Sequence, residues 1–466
     1  MKLTKIVCTI GPATESQPVL EKMIMAGMNV ARLNTSHGNA AEHEARIATI
    51  RAAAKKCNRS VGILLDLAGP KIRTGELTSP TVTLVEGKTI VLTTDSIIGD
   101  EKRMSVNYAK LPQELTKGSI IMLEDGKKKL LVQKISGKEI TCKIIVGGII
   151  KPRRGVNIPN GYLSIKSLTA ADIKILNHFH NKGIDFVALS FVRTPSDITD
   201  LNKVLKKLSW NPKIIAKIET QEALDHLDEI LDLTDGAMVA RGDLAVETPR
   251  EYVPVEQKNI ITKCIAKGKF SIVATQMVES MIHERYPTRA EVSDIANAIF
   301  DGADAIMTSE ETSLGEYPVE TVQTMADVAK SVEGVYKPNV SIHYDTKFPI
   351  GHAIAEHAQL LADHLNTHCI VALTESGRTA REISQFRGNR PIYALTPNLD
   401  TINHLTVVRG VYSLPFTPSK TIEEIRPDIV KLITAQEHAK NQTMLIVSGS
   451  TMRKQGATNM IIVETT

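Results

Sequence analysis

Residues 185–191 read DFVALSF, a short run in which apolar residues fill nearly every position. Residues 5–10 (KIVCTI) and 270–275 (FSIVAT) have the same character. A strand that is covered on both faces is apolar throughout, whereas a half-exposed strand alternates apolar and polar residues. These three runs are therefore predicted to be buried strands of a parallel sheet.

Further β-rich runs lie between and beyond these three, and amphipathic helical stretches follow several of them. The predicted strands are residues 5–10, 29–33, 61–67, 185–191, 213–219, 236–241, 270–275 and 303–308. Helical stretches are predicted at residues 220–231, 254–267 and 318–332. Strand–helix units repeated in this way predict an α/β fold, a (β/α)8 TIM barrel.

The alternation is interrupted once, between residues 74 and 159. Helical periodicity disappears there, and short β-rich runs such as TVTLVEGKTIVLTT are separated by turns that contain glycine. The interruption follows the third predicted strand, at the face of a barrel where active sites lie. An inserted all-β domain is predicted, in a position to act as a lid.

A second α/β pattern follows the barrel and predicts a C-terminal open α/β domain. The boundaries of all three domains can be predicted from these changes of pattern. The predicted domains are residues 1–70 and 166–340 for the barrel, 71–165 for an inserted β-barrel lid, and 341–466 for the C-terminal domain.

The composition excludes several classes of protein. Among 466 residues, 56 Lys and Arg stand against 52 Asp and Glu, a net charge of only +4, whereas nucleic-acid binders usually concentrate basic charge. No apolar run approaches the roughly 18 residues that cross a bilayer. The five cysteines are scattered, which is typical of reduced thiols. We therefore expect a cytoplasmic protein that binds neither nucleic acid nor membranes.

Polar side chains gather where the predicted strands end, which is where a barrel of this type has its active site. Both cations and carboxylates are among them: Arg32, Asn34, Ser36, His37, Asp66, Lys71, Arg73, Ser190, Arg193, Lys217, Glu219, Arg241, Asp243, Thr275 and Gln276. Cations suit a multiply anionic substrate. Carboxylates suit Mg²⁺, which prefers oxygen ligands and often binds one or two carboxylates together with phosphate.

Lys217 and Glu219 alternate on one predicted strand, so both side chains point to the same side. Alone, they fit a structural ion pair as well as a lysine beside a metal ligand. Asp243, just after the next strand, favours the second interpretation. Gly242 lets the main chain approach an anion closely, whereas an isolated Thr275 would more often bond to its own main chain.

The segment Ser376-Gly377-Arg378-Thr379 lies between a predicted strand and a predicted helix. Main-chain amides at a helix N-terminus, with an arginine beside them, can bind phosphate. A serine in this place is equally suited to capping the helix. These residues alone leave both interpretations open.

Several motifs of the chain recur together in one known family. They are KIVCTIGPAT, MNVARLNTSHG, LLDLAGPKIRTG, RGVNIP, DFVALSFVR, IIAKIET, DGAMVARGDLAVE, ATQMVESM, PTRAEVSDIANAIFDGADAIM and TNMIIVE. Through them the chain resembles the bacterial pyruvate kinases over nearly its whole length. The resemblance implies Mg²⁺-dependent phosphoryl transfer from phosphoenolpyruvate to ADP, which gives pyruvate and ATP in the last step of glycolysis.

The resemblance also implies roles for individual residues. The catalytic residues would be Lys217, Arg32 and Thr275. Substrate would contact Arg32, Lys217, Ala240, Gly242, Asp243 and Thr275. The metal ligands would be Glu219 and Asp243. Nucleotide would contact Asn34, Thr35, Ser36, His37, Arg73 and Arg154. The phosphate of an activating effector would bind Thr374, Ser376, Gly377, Arg378 and Thr379.

One departure from the family pattern concerns potassium. Most members need K⁺, held at positions that match Asn34, Ser36, Asp66 and the residue after it. That residue is Leu67, which has no side-chain oxygen, and Lys71 stands where a glutamate is usual. An ammonium group carries the charge of K⁺. The chain is therefore expected to belong to a potassium-independent subgroup in which Lys71 replaces the ion.

The remaining expectations concern partners and competing functions. The resemblance implies a homotetramer that uses Mg²⁺, with Mn²⁺ as a substitute, and binds a phosphorylated effector besides its substrates. A Mg²⁺-dependent aldolase, with Lys217 forming a Schiff base, is an alternative enzyme. An inactive phosphometabolite sensor that keeps only the C-terminal site is an alternative of another class.

Overall fold

The computed structural model describes residues 1–159, 161–335, 348–418, 421–437, 441–449 and 458–465. The chain begins with strands and helices in alternation: β1 (Lys5–Thr9), α1 (Gln17–Ala26), β2 (Val30–Asn34), α2 (Ala40–Lys56) and β3 (Gly62–Asp66). Every residue of β1 and β3 is buried, as their apolar sequences predict. Both strands run parallel to β2, which lies between them.

The chain then leaves the barrel and forms the insertion. Its elements are β4 (Val82–Leu84), β5 (Thr89–Thr93), β6 (Arg103–Ser105), α3 (Leu111–Glu114), β7 (Ile120–Leu123), β8 (Lys128–Ser136), β9 (Glu139–Val146), β10 (Gly148–Ile150) and β11 (Val156–Asn157). Burial alternates along β7 and β9, because one face of this sheet covers a separate apolar core.

The strand order and two isolated bridges show how the two edges of the inserted sheet are connected. In its described residues, a six-stranded sheet has the order β11-β7-β8-β9-β5-β6, and a two-stranded sheet pairs β10 with β4. Isolated bridges join Arg73 to Gly155 and Thr74 to Val106, next to the two edge strands β11 and β6. Both edges of the larger sheet therefore meet the same short segment.

The barrel resumes after the insertion with the remaining strands and their helices. They are α4 (Ala170–Phe179), β12 (Phe186–Val192), α5 (Pro195–Lys207), β13 (Lys213–Ile218), α6 (Gln221–Asp225), α7 (Leu227–Asp232), β14 (Gly236–Ala240), α8 (Arg241–Glu247), α9 (Val253–Ala266), β15 (Phe270–Ala274), α10 (Arg289–Phe300), β16 (Ala305–Thr308), α11 (Glu310–Ser313) and α12 (Pro318–Glu333). Within the described residues, eight parallel strands close in the order β1-β16-β15-β14-β13-β12-β3-β2. The predicted TIM barrel is confirmed.

The C-terminal part is an open α/β domain, also as predicted. Its elements are α13 (Pro349–His364), β17 (Cys369–Leu373), α14 (Arg378–Gln385), β18 (Ile392–Thr396), α15 (Leu399–His404), β19 (Val411–Pro415), α16 (Ile422–Glu437), β20 (Thr443–Gly449) and β21 (Thr458–Thr465). The sheet order is β19-β18-β17-β20-β21, and β21 runs antiparallel to β20. The domain boundary predicted at residues 340/341 lies outside the described residues, and the boundaries at 70/71 and 165/166 stay predictions.

The C-terminal domain covers the end of the barrel opposite the insertion. Phe186 and Phe270, at the start of β12 and β15, pack edge to face with ring centroids 6.1 Å apart. His404 of α15 lies 6.1 Å from the Phe186 ring. Gly62, at the start of β3, approaches Thr406 so closely that a Cβ atom there would lie 2.4 Å from the threonine hydroxyl. The C-terminal ends of the strands are left to face the insertion.

Candidate active site

A lysine and three polar partners meet at the C-terminal ends of neighbouring strands. Lys217 Nζ donates a hydrogen bond to Ser190 Oγ at 2.7 Å. The same nitrogen lies 3.1 Å from Glu219 Oε1 and 3.3 Å from Asp66 Oδ1. The lysine side chain is 12% exposed and both carboxylates are 1% exposed. The ammonium group is therefore fixed in position by charged partners that are shielded from water.

Arg32 lies on the other side of Asp66. Its Nε donates to Asp66 Oδ2 at 2.7 Å, and its Nη1 donates to Thr9 Oγ1 at 2.8 Å. Burial by itself would raise the pKa of Asp66, but the charges of Lys217 and Arg32 hold this pKa below its ordinary value. Asp66 is thus an ionised carboxylate shared by two cations.

The same neighbours determine the charge of Lys217. Burial works to lower the pKa of its ammonium group, and the carboxylates of Asp66 and Glu219 work to raise it. The carboxylates prevail, so the pKa of Lys217 lies above its ordinary value. The side chain is a permanent cation, because its partners stabilise the charged form.

Glu219 and Asp243 are the carboxylates predicted to bind a metal. Glu219 Oε2 accepts a hydrogen bond from the Phe191 main-chain N–H at 2.6 Å. Asp243 lies in the first turn of α8, where burial and then the negative charge of Glu219 raise its pKa to about 7. In the described residues, no three His, Cys, Asp or Glu side chains are grouped so that they could hold a metal ion.

The chemistry of this pair fits Mg²⁺. Its oxygens are hard ligands, and Mg²⁺ usually takes one or two carboxylates and completes its shell with water and phosphate. Two neighbouring carboxylates that repel each other are stabilised by a cation between them. The pKa of Asp243 is raised because burial and the charge of Glu219 disfavour its ionised form, and a bound cation would favour that form.

The predicted substrate residues around β14 and β15 form one hydrogen-bonded turn. Ala240 ends β14, and the Gly242 N–H donates to Thr275 Oγ1 at 2.9 Å. Thr275 Oγ1 in turn donates to the Ala274 main-chain oxygen at 2.6 Å. Thr275 has φ 72°, a left-handed conformation that is rare for a β-branched residue. Arg241 stabilises it by donating to the main-chain oxygens of Ala274 and Thr275 at 3.2 and 2.6 Å.

The residues predicted to contact nucleotide fall into two groups, and the first follows β2. Asn34 Oδ1 accepts from the Ser36 N–H at 3.1 Å, and Thr35 Oγ1 donates to the main-chain oxygen of Asp66 at 2.9 Å. His37 is exposed. This segment is therefore folded over the end of β3, beside the Asp66 carboxylate.

The second group, Arg73 and Arg154, lies on the insertion. Arg73 Nη1 donates to the Arg153 main-chain oxygen at 2.9 Å. Arg154 Nε lies 3.9 Å from Glu124 Oε1, in the hairpin turn between β7 and β8. The bridge between Arg73 and Gly155 brings these two arginines together although they are far apart in sequence.

The predicted monovalent-cation region contains Lys71. Its Nζ donates to Ser36 Oγ at 3.0 Å. Burial and then the charge of Arg73 lower the pKa of Lys71. The Leu67 side chain is 1% exposed, and its main-chain oxygen accepts from Ser190 Oγ at 2.7 Å.

Comparison with known proteins decides the family. Residues 1–322 match the family model for the pyruvate kinase barrel domain, and residues 352–464 match the model for the pyruvate kinase alpha/beta domain. The chain belongs to the pyruvate kinase family. It is therefore a phosphotransferase, as predicted.

Individual pyruvate kinases are similar to this chain over nearly its whole length. A pyruvate kinase from Staphylococcus saprophyticus is 42% identical over 99% of this chain and 80% of its own length. One from Thermotoga maritima is 42% identical over 99% of both chains. The crystal structure of a pyruvate kinase from Cryptosporidium parvum superposes with a TM-score of 0.90 at 32% identity, covering 100% of this chain and 96% of that one.

The predicted effector loop of this pyruvate kinase chain precedes and begins α14. Gly377, with φ 76°, is the cap residue of the helix, so the capping interpretation of Ser376 is wrong. Arg378 Nε donates to Glu382 Oε1 at 2.6 Å, and its guanidinium carbon lies 3.2 Å from the centroid of the Phe348 ring. Thr379 is buried.

Thr374 and Thr379 of the effector loop form hydrogen bonds with other parts of the C-terminal domain. The Thr374 N–H donates to the Leu395 main-chain oxygen at 3.1 Å, which continues the parallel pairing of β17 and β18. Thr379 Oγ1 and Thr458 Oγ1 are 2.8 Å apart. The loop therefore lies at the C-terminal end of β17, where α/β sheets commonly bind ligands.

Two neighbours of the candidate site had no individual role predicted from the sequence, although Ser190 was among the polar residues expected at the strand ends. Ser190 joins Lys217 Nζ to the Leu67 main-chain oxygen, and its signal was a lone hydroxyl inside the apolar run DFVALSF. Phe191 contributes its main-chain N–H to Glu219. This main-chain contact could not be predicted from the side-chain pattern, because it depends on an irregularity in the pairing of β12 with β13.

In the described part of the chain, no helix has both the length and the apolar character that a bilayer span requires.

Proposed function

We propose that this chain transfers the phosphoryl group of phosphoenolpyruvate to ADP. The observation that carries the proposal is the position of Lys217, held among Asp66, Glu219 and Ser190 with Arg32 beside them. Phosphoryl transfer needs alignment and stabilisation of charge more than covalent help from the protein. A fixed cation next to a pair of metal-binding carboxylates supplies both.

In the proposed reaction, a terminal phosphate oxygen of ADP attacks phosphorus as the bond to the enol oxygen breaks. Lys217 stabilises the negative charge on the phosphoryl group in flight, and Arg32 binds the substrate phosphate. Glu219 and Asp243 would hold Mg²⁺, which when bound supplies Lewis-acid stabilisation of the phosphoryl oxygens. Mn²⁺, with similar oxygen preference, is the proposed substitute.

The substrate carboxylate is proposed to bind at the turn between β14 and β15. Ala240, Gly242 and Asp243 would present main-chain groups there, and Thr275 would add its hydroxyl. The enolate left by phosphoryl transfer must take up one proton to become pyruvate. Thr275 is proposed to belong to the hydroxyl–water relay that delivers this proton, because its Oγ1 is both a donor and an acceptor.

Nucleotide is proposed to bind between the insertion and the end of β2. Asn34, Thr35, Ser36 and His37 would contact it from the barrel. From the insertion, the guanidinium groups of Arg73 and Arg154 would contact its phosphates. A lid in this place excludes water and strengthens every electrostatic contact in the site.

Lys71 is proposed to replace K⁺. Its ammonium nitrogen reaches Ser36, one of the residues predicted to hold the monovalent ion together with Asn34, Asp66 and Leu67. An ammonium group there offsets phosphate charge and repels an incoming cation.

Regulation is proposed to act through the loop formed by Thr374, Ser376, Gly377, Arg378 and Thr379, with a phosphorylated metabolite as activator. The N-terminus of α14 and the Arg378 guanidinium suit a phosphate. A panel of sugar phosphates and nucleoside monophosphates tested against Arg378→Ala would check this. Activation of the variant equal to that of the wild type would contradict it.

Assembly and location complete the proposal. The chain is proposed to form a homotetramer, which light scattering would measure, and to work in the cytoplasm. All five cysteines, Cys8, Cys57, Cys142, Cys264 and Cys369, are free thiols, which supports a reducing compartment.

The deciding experiment is a coupled assay for pyruvate formed from phosphoenolpyruvate and ADP. We expect Mg²⁺-dependent turnover in the wild type, and a higher Mg²⁺ requirement with lower activity in Glu219→Gln and Asp243→Asn. Absence of turnover would support a sensor. The raised pKa of Lys217 disfavours the aldolase, because a Schiff-base lysine needs a neutral amine. Borohydride trapping with pyruvate should therefore label nothing.

A further inference from the structure

We propose that Ser167 and Asn157 are positioning residues for the two metal-binding carboxylates. Both belong to the segment that leads from the insertion back into the barrel, called here the return segment and defined as residues 157–159 and 161–167. Ser167 acts on Glu219 through the Phe191 main chain, and Asn157 acts on Asp243 through α8. The inference rests on the proposed function, because it takes Glu219 and Asp243 to be the metal ligands.

The first connection passes through Phe191. Ser167 is fully buried, and its Oγ donates to the Phe191 main-chain oxygen at 2.5 Å. The Phe191 N–H donates to Glu219 Oε2 at 2.6 Å. One residue of β12 therefore carries a bond to the return segment on its carbonyl side and a bond to the predicted metal ligand on its amide side.

The conformation of Phe191 makes this connection sensitive. Its φ is 53°, a left-handed value that is strained for a bulky residue and persists only where the surroundings impose it. The register of β12 against β13 shifts between Leu189 and Val192, so Phe191 lies in a bulge. The Ser167 bond secures the carbonyl of this bulge. Without this bond, the backbone dihedrals of Phe191 can relax from their strained values, which turns the Phe191 N–H away from Glu219.

In the part of the chain that the structure describes, Glu219 has few other contacts that could hold it in place. Its carboxylate is 1% exposed, and its other oxygen lies 3.1 Å from Lys217 Nζ. Within the described residues, the hydrogen bond and ion pair of the Glu219 carboxylate thus come from one main-chain amide and one cation. Second-layer hydrogen bonds of this kind orient metal-binding carboxylates and commonly set metal affinity.

The second connection passes along α8. Asn157 Nδ2 donates to Glu247 Oε1 at 2.9 Å. Glu247 ends α8, and Asp243 is four residues earlier, in its first turn. Residues four apart lie on the same face of a helix. A bond that holds Glu247 to the insertion therefore sets the rotation and height of the helix that presents Asp243.

The insertion rests on α8 at a second place. Gly126 lies in the turn between β7 and β8, and a Cβ atom there would lie 3.6 Å from the Val246 side chain and 3.3 Å from Arg250 Nη2. The insertion is thus docked on the helix that carries Asp243. If it moves outward, the Asn157 contact is lost together with this one. Metal affinity and the position of the lid are linked in this way.

The test measures metal binding directly. Mn²⁺ binding to the full chain without substrates, followed by electron paramagnetic resonance, reads affinity apart from turnover. We expect Ser167→Ala and Asn157→Ala each to raise the Mn²⁺ dissociation constant about tenfold. Glu247→Ala should weaken Mn²⁺ binding at least as much as Asn157→Ala, because it also removes the hydrogen bond between Glu247 and the Ile158 main chain. Glu247→Gln should bind Mn²⁺ like the wild type, because its amide oxygen still accepts from Asn157.

A matched control separates this effect from general loss of packing. Ser384 is also buried, and its Oγ donates to the Arg409 main-chain oxygen at 2.6 Å, in the C-terminal domain. Ser384→Ala should leave Mn²⁺ affinity unchanged. Equal weakening in Ser384→Ala and Ser167→Ala would overturn the inference. Asn157→Ala, at a half-buried position, decides the question if Ser167→Ala fails to fold.

Glu219→Gln and Asp243→Asn distinguish failure of the inference from failure of the proposed function. Weak Mn²⁺ binding in these two variants, with wild-type affinity in Ser167→Ala and Asn157→Ala, would overturn the inference alone. Wild-type affinity in Glu219→Gln and Asp243→Asn would remove the proposed metal site, and the inference with it.

Discussion

Asp304 and Arg387 form a bidentate ion pair in which both side chains are only 2% exposed. Arg387 Nη1 and Nη2 lie 3.2 and 2.7 Å from the two carboxylate oxygens. Asp304 immediately precedes β16 of the barrel, and Arg387 follows α14 of the C-terminal domain. The Arg409 N–H also donates to Asp304, at 3.1 Å. A single buried carboxylate therefore joins the two domains.

The first prediction concerns this pair. Asp304→Ala should lower the free energy of unfolding by about 3–5 kcal/mol, because it leaves the Arg387 guanidinium buried without a counter-charge. Urea denaturation would measure the change. Glu76→Ala breaks the exposed pair with Arg153 and should cost less than about 1 kcal/mol. Equal losses in the two variants would contradict the prediction.

The second prediction concerns the charge on Lys217. Lys217→Met should leave binding of phosphoenolpyruvate detectable but reduce turnover by about a thousandfold, which is the order expected when a charge-stabilising donor is lost. Steady-state kinetics with the coupled assay would measure it. Turnover within about tenfold of the wild type would remove Lys217 from the reaction.

The third prediction concerns Lys71. Because its ammonium group already reaches Ser36, activity should be equal in potassium and tetramethylammonium salts of the same ionic strength. Lys71→Glu should lose most activity, and Lys71→Glu combined with Leu67→Thr should regain part of it only when K⁺ is present. Strong activation of the wild type by K⁺ would show that Lys71 does not replace the ion.

The fourth prediction concerns pH. Burial, and then the charge of Lys213, lower the pKa of His404 from 6.5 to about 4 in the folded chain. Between these values the unfolded chain binds a proton that the folded chain does not, so stability is full above the unfolded value and falls as the pH decreases. At about pH 5, the end of the range tested below, this loss amounts to about 2 kcal/mol.

Thermal unfolding would measure this effect. When the pH is lowered from about 7.5 to about 5, the melting temperature of His404→Asn should fall less than that of the wild type. The variant has no histidine at this position whose protonation would favour the unfolded chain. His357→Gln changes an exposed histidine and should follow the wild type. An equal fall of the melting temperature in His404→Asn and in the wild type would contradict the lowered pKa of His404.

Much of the fold could be predicted from the sequence because buried parallel strands leave a local pattern. Residues 185–191 are apolar almost throughout, and the strand β12 (Phe186–Val192) is found there within one residue of the predicted bounds. The insertion was recognisable for the opposite reason, since its half-exposed strands alternate and its turns contain glycine. Burial is decided residue by residue, so each strand carries its own signal.

The candidate site could be predicted in part. Lys217 and Glu219 share one strand, and Asp243 follows the next, so the rule that barrel sites form at C-terminal strand ends places them together. The direction of each side chain could not be predicted. Glu219 is oriented by the amide of Phe191, whose left-handed conformation has no marker in the residue type.

The sequence alone determined which elements form and which residue types gather at the mouth of the barrel. Tertiary structure alone decided the partners of those residues. Asp304 and Arg387 are 83 positions apart, and Lys71 and Ser36 are 35 apart. Local periodicity records whether a residue is buried, but a hydrogen bond or ion pair depends on distances between segments that only the folded chain brings together.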